Sequence, residues 1–224
     1  MSCLVKICGL STPESLDVAL EAGADLVGFV FFAPSPRHLD GSAARALGRR
    51  VGKRAQKVAL TVDADDVLLA TILEVLEPDL LQLHGSEPPE RVAAVRERFH
   101  LPVMKAIHVE TAADLLLVPS YAAVADRLLF DARPPRDATR PGGLGNRFDW
   151  TLLRSVEPGV PFMLSGGLDA DNVAAALAET GAPGVDVSSG VERAPGEKDP
   201  EKIRAFIRAV RECAPMPANA ARTA

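Results

Sequence analysis

The sequence predicts a single closed (β/α)8 barrel, and three observations carry that reading. Eight strand-like segments alternate with helical patterns; those stretches run to about 10–15 residues, the usual size in such units. No linker-like segment interrupts the alternation, and 224 residues suit the fold near its lower size limit. A doubly wound open sheet is the competing arrangement of the same pattern. The barrel is expected over residues 1–212, with 213–224 a flexible tail, because "APMPANAARTA" after Cys213 is rich in small residues and proline.

In chain order, strands are expected at "CLVKIC", "DLVGFVF", "QKVALTV", "DLLQLH", "PVMKAI", "RLLFDA", "PFMLS" and "GVDVS". The first helix is "TPESLDVALEAG", with Thr12 as N-cap, Pro13 at the first helical position and Gly23 as the stop. The last opens in the same way at Asp199 and Pro200. It then carries Ile203, Phe206, Ile207 and Val210 at i, i+3, i+4 and i+7, a single apolar stripe. About eight helices are expected in all.

Composition excludes several classes. Hydrophobic residues make up 47% and charged residues 25%, as in a soluble globular protein. A formal net charge of -5 without a lysine or arginine block argues against a nucleic-acid partner. An anion would have to be met locally, by a few side chains and backbone N–H groups. Three cysteines without a C-x-x-C pair exclude a disulfide framework and a zinc module. Cys3 and Cys8, five apart, would sit on opposite faces of one strand as reduced thiols. The N-terminus lacks the zones of a signal peptide, and the longest apolar run, around "LVGFVFF", is too short for a bilayer. A cytoplasmic protein without a membrane partner is expected.

In such barrels chemistry collects at the C-terminal ends of the strands. Lys6 and Cys8 in the first strand, and Gln82 and His84 in the fourth, are two apart and so share a face. Their neighbours Val5, Ile7, Leu81 and Leu83 would then face the helices. Asp131 ends the sixth strand, and the eighth carries Asp186 followed by Ser188. Glycine-bearing loops follow the last three strands: "RPGGLGNR", "SGGLDADN" and "SSGVE". Such loops let backbone approach a ligand, and those after strands seven and eight are the usual phosphate site. Two prolines stiffen "FFAPSPRHL", which presents Arg37; its fork suits a carboxylate or phosphate. Each feature also has a plainer reading. Cys8 can be an apolar filler, Asp131 a cap, His84 a hydrogen-bonded mouth residue, Asp186 the ion-pair partner of Lys6, Arg37 a solvated loop residue, and the glycines tight turns.

Taken together, "KICGL", "GFVFFAPSPRH", "LQLHG", "FDA" followed by "GGLGNRFDW", "LSGGLDADNV" and "GVDVSSGVE" resemble the phosphoribosylanthranilate isomerase family of tryptophan biosynthesis. The resemblance runs in order from residue 3 to about residue 210, and it implies a cofactor-free Amadori rearrangement of a phosphosugar–anthranilate substrate, in a monomer or homodimer. By motif, Cys8 matches the family's general base and Asp131 its general acid. Arg37 matches the residue receiving the anthranilate carboxylate. The phosphate would lie among Gly143, Gly145, Gly166, Gly167, Ser188, Ser189 and Gly190, with Lys6, Gln82, His84 and Asp186 in support. One departure is Leu144, where the family usually has threonine or serine, so no hydroxyl is available there.

Both reacting groups need help at neutral pH. A free thiol is mostly protonated there, and Lys6 beside it would favour the thiolate. An ordinary aspartate is ionised, and burial under substrate near Phe130 or Phe148 would favour the acid. Rival readings fare less well. The related histidine-pathway isomerase has aspartates at the ends of strands one and five, where this chain has Cys8 and His108. A Schiff-base aldolase needs a lysine that "RLLFDA" lacks. A metal-dependent epimerase needs clustered His and Asp ligands, which His38, His84, His100 and His108 are not expected to supply. The remaining alternative is a catalytically silent phosphate-binding barrel acting as a regulatory partner; Leu144 favours it, while Cys8 and Asp131 oppose it.

Overall fold

Eight parallel strands close into the expected barrel in sequence order, the eighth pairing back onto the first. The computed structural model describes residues 3–135 and 137–213. The barrel strands are β1 (Leu4–Cys8), β2 (Leu26–Phe31), β3 (Gln56–Thr61), β4 (Leu80–Leu83), β5 (Val103–Val109), β6 (Arg127–Ala132), β7 (Phe162–Leu164) and β8 (Gly184–Val187). Around them lie α1 (Pro13–Glu21), α2 (Gly41–Val51), α3 (Asp66–Leu76), α4 (Pro89–Phe99), α5 (Val118–Ala122), α6 (Val173–Thr180) and α7 (Pro200–Cys213). Cys213 is the last residue of α7, and the remainder of the expected tail, 214–224, lies outside the described residues. No described helix is long and apolar enough to cross a membrane.

The helix starts follow their caps. Thr12 accepts the Ser15 N–H ahead of α1, and Asp40 and Asp65 do the same for α2 and α3. Asp199 accepts the Glu201 N–H, and Ile203, Phe206, Ile207 and Val210 form the buried stripe of α7. The same helix ties down the start of the chain. Arg211 donates to the Cys3 carbonyl at 2.6 Å and to Asp25 at 2.8 Å, while Asp25 also accepts the Val5 N–H.

Two connections depart from the expected helices. Between β5 and β6 a 3₁₀ turn, Ala112–Leu117, runs into the short α5. Between β6 and β7 the described residues hold only the 3₁₀ turn Trp150–Leu153. Prolines and glycines crowd "RPPRDATRPGG", and each removes a helical hydrogen bond or costs backbone entropy. The stretch after β8, expected as loop, instead forms a 3₁₀ turn and an antiparallel ribbon of β9 (Glu192–Ala194) and β10 (Glu197–Lys198).

Side-chain alternation then divides the core. Val5, Ile7, Leu81, Leu83, Phe130 and Val185 turn outward and join the apolar faces of the helices. Inside, Leu26, Val58, Leu80, Met104, Ala106, Leu129 and Met163 plug the N-terminal end of the barrel. Further up β4, β5 and β6 the inward positions turn polar, Gln82 and His84 above Leu80, His108 above Ala106 and Asp131 above Leu129, while β2 and β3 stay apolar with Val30 and Leu60. That step along the axis delivers the polar side chains to one mouth. Gly28 of β2 makes the room it needs, since a Cβ there would lie 2.9 Å from the Cys8 sulfur and 3.2 Å from Lys6 Cε.

Candidate active site

The mouth encloses about 780 Å³, open to solvent, and Cys8, Arg37, His84 and Asp131 all border it. So do Asp186 and the loop residues Gly143, Gly145, Gly166, Gly167, Ser188, Ser189 and Gly190. Lys6 and Gln82 lie deeper and are fully buried. Leu144 lines the cavity as well, contributing an apolar side chain where a hydroxyl was looked for.

Lys6 on β1 and Asp186 on β8 are register partners, and their side chains pair at 2.9 Å out of solvent. The plainer reading of Asp186 therefore holds for its contact. Burial works against the Lys6 ammonium, but Asp186 and then Cys8 raise its pKa. Cys8 departs from expectation. Burial pushes the thiol up, the Lys6 charge pulls it down, and Asp186 pushes it up again, with a net rise. The ammonium already serves a carboxylate, and a sulfur sealed from water loses the solvation a thiolate needs. The resting thiol is protonated.

Asp131, 5% exposed, is held at both oxygens. Oδ1 accepts the Ala132 N–H at 2.9 Å, and Oδ2 lies 3.1 Å from His84 Nε2. Gln82 Nε2 donates to His84 Nδ1 at 2.9 Å, which sets the imidazole proton on Nε2, facing the carboxylate. Gln82, His84 and Asp131 thus form one orienting chain. The expected aromatic cover is absent, because Phe130 points outward and meets Phe162 edge-on at 5.4 Å, and Phe148 packs on the outer shell. Backbone covers the acid instead: a Cβ on Gly142 would lie 2.6 Å from His84 Nε2 and 3.1 Å from Asp131 Oδ2.

His108 corrects a second expectation. It is the register partner of Asp131, and one donor atom each from His84, His108 and Asp131 lies within 4.8 Å of the others. Burial, then the neighbouring His84, pushes its pKa down to about 4. The histidines and an aspartate do cluster; strand register, invisible in spacing along the chain, brings them level.

Arg37 is no solvated loop residue. It is 3% exposed, and its Nε and Nη2 each donate to Glu192 at 2.7 Å, while Nη2 also reaches the Gly143 carbonyl at 3.1 Å. Glu192 further accepts from Lys198 Nζ at 2.7 Å, and Lys198 donates to the Ser188 carbonyl at 2.9 Å. Burial opposes the Glu192 carboxylate, but Arg37 and Lys198 pull its pKa below the ordinary value. Arg37 thus borders the mouth with Nη1 against the Gly143 backbone, while the ribbon braces its Nε–Nη2 edge. Glu192 and Lys198 escaped the sequence reading, although opposite charges flanking the Pro-Gly of "ERAPGEK" are a hairpin signal. Arg140 escaped it too; it borders the mouth, and its Nε finds no partner among the described residues.

Known proteins resemble this chain over nearly its full length. The model of the N-(5'phosphoribosyl)anthranilate (PRA) isomerase family matches residues 5–209. The N-(5'-phosphoribosyl)anthranilate isomerases of Rhodopseudomonas palustris (strain BisB5) and Bradyrhizobium diazoefficiens are 67% and 65% identical to it over 211 residues, covering 94% of this chain and 97% and 95% of their own. The crystal structure of phosphoribosyl anthranilate isomerase from Thermotoga maritima matches with a TM-score of 0.85 at 33% identity, covering 94% of this chain and 99% of that one. Another such isomerase, solved in complex with reduced 1-(o-carboxyphenylamino)-1-deoxyribulose 5-phosphate, matches at 0.81 and 31% over the same shares. With the family model matched over residues 5–209 and relatives at 67% and 65% identity, the chain belongs to the N-(5'-phosphoribosyl)anthranilate isomerase family.

Proposed function

We infer that this chain converts N-(5-phosphoribosyl)anthranilate to 1-(2-carboxyphenylamino)-1-deoxyribulose 5-phosphate, an Amadori rearrangement in tryptophan biosynthesis. The observation that carries the reading is the pair Cys8 and Asp131 bordering one cavity with the glycine loops and Arg37. Asp131 gives its proton to the ribose ring oxygen as the C1–O bond breaks, leaving a protonated Schiff base between C1 and the anthranilate nitrogen. Cys8, as thiolate, takes the proton from C2, and the enolamine formed accepts a proton at C1 as its C2 hydroxyl loses one, giving the ketose. Each proton transfer of this kind contributes about 10²–10⁴ in rate. His84 and Gln82 hold the acid; Lys6 and Asp186 lie beneath the thiol.

The phosphate is met by backbone N–H groups of Gly143, Gly145, Gly166 and Gly167 and by Ser188, Ser189 and Gly190, a nest that tolerates Leu144 because it uses main chain. The anthranilate carboxylate goes to Arg37 where it borders the mouth. All these residues come from one chain, so the site needs no second subunit, whether the protein is a monomer or a homodimer. The barrel of residues 1–212 is the catalytic unit, and its setting is the cytoplasm.

Loss of anthranilate-type fluorescence on adding freshly made phosphoribosylanthranilate tests the activity directly. Tight binding of a product analogue without turnover would favour the silent barrel instead. Arg37→Ala is expected to raise KM at least about tenfold, the worth of one charge-assisted contact. Removing one partner of a buried pair typically costs about 3–5 kcal/mol, so Arg37→Lys, which keeps the charge and loses the fork, is the companion variant. An unchanged KM in both would put the carboxylate elsewhere.

A further inference from the structure

His84 just beyond β4, His108 on β5 and Asp131 on β6 stand level in the mouth, with one donor atom from each within 4.8 Å of the others. Imidazole nitrogen and carboxylate oxygen are the donors that zinc and its late-transition neighbours take. Metal-bound imidazoles and carboxylates also require outer partners that fix their orientation. Those partners are already in place.

His108 donates through Nε2 to the His84 carbonyl at 3.3 Å, which leaves its lone pair on Nδ1. That Nδ1 is buried and has no partner among the described residues. Asp131 is fixed through Oδ1 by the Ala132 N–H, leaving Oδ2 toward the cluster. His84 is fixed through Nδ1 by Gln82, whose own Oε1 is buried and likewise unpartnered. Turning the Gln82 amide brings Oε1 to Nδ1. The single imidazole proton then moves from Nε2 to Nδ1, and the Nε2 lone pair is freed beside Asp131. The orphaned oxygen gains a partner in the same movement, while the amide nitrogen gives up its own.

We propose that His84, His108 and Asp131 form a binding site for one late-transition divalent cation, of which Zn²⁺ is the leading case, and that its occupation blocks the reaction. Tetrahedral bonds of 2.0–2.1 Å set ligand atoms about 3.4 Å apart, so donors up to 4.8 Å apart must draw together by roughly 1.4 Å. A coordinated Asp131 is held as its anion and has no proton to give the ribose ring oxygen. The blocking half rests on Asp131 being the acid; the binding half does not.

The test uses the full chain, freed of metal by a chelator and titrated with ZnCl₂ by calorimetry and by initial rates. One Zn²⁺ per chain and a falling rate are expected. His108→Gln should keep its basal rate within about twofold yet bind zinc at least about tenfold more weakly and resist inhibition to the same degree. Cys8→Ser, followed by calorimetry alone, should bind zinc as the parent chain does. Unchanged zinc binding in His108→Gln, or its loss in Cys8→Ser, would overturn the site. Binding that depends on His108 with an undiminished rate would overturn the blocking half, and the acid role of Asp131 with it.

Discussion

Cys8→Ala should lower kcat by at least about 100-fold, the low end of what a positioned base contributes. The residue is 3% exposed among Val30, Leu60 and half-buried apolar neighbours, so the substitution removes one sulfur and leaves a small gap. That gap costs roughly 1 kcal/mol, far too little to unfold a domain of this size. Circular dichroism should therefore be unchanged while the fluorescence assay falls. The raised thiol pKa adds a signature. Protonated thiol dominates below the pKa, and the thiolate fraction grows with each unit of pH. Alkylation of Cys8 by iodoacetamide, followed by mass spectrometry, should accordingly quicken by up to about tenfold per unit from pH 7, without levelling before the ordinary thiol value of about 8.5. A near-native rate in the variant would remove the thiol from the reaction, and an alkylation rate already level at pH 7 would overturn the raised thiol pKa.

Asp131→Asn should cost at least about 100-fold in kcat as well, with KM within a few-fold. The amide has the size of the carboxyl, and its oxygen can still accept the His84 proton, so the link to His84 survives while the acceptor for the Ala132 N–H is lost. What disappears is a proton available to the ring oxygen as it leaves. Binding of the reduced product analogue separates the two effects. Retained affinity with lost turnover supports the acid role, and retained turnover sinks it. Because both groups act on one substrate in sequence, the double variant should fall well short of the product of the two losses.

Much of this was legible in the sequence because two periodicities suffice for it. Period two over "LVKIC", "LLQL" and "RLLFDA" sorts each strand into an outward apolar and an inward set, and the barrel geometry does the rest. Caps such as Thr12 and Asp199 act through atoms two or three residues away, so they also read locally. Among the described residues no α-helix joins β6 to β7, against the expected eight; the prolines and glycines of that stretch were a local signal left unused.

Other features became visible only once the chain had folded. Whether Lys6 favours the Cys8 thiolate depends on Asp186, 180 residues away, and on how much water reaches the sulfur. Arg37 gains its brace only when the ribbon carries Glu192 back across 155 residues. His108 meets Asp131 through the β5–β6 register alone. Local pattern fixes which way a side chain points, because it needs only the backbone's repeat. Closing the sheet determines which charges meet and how dry they are, and those two quantities govern protonation.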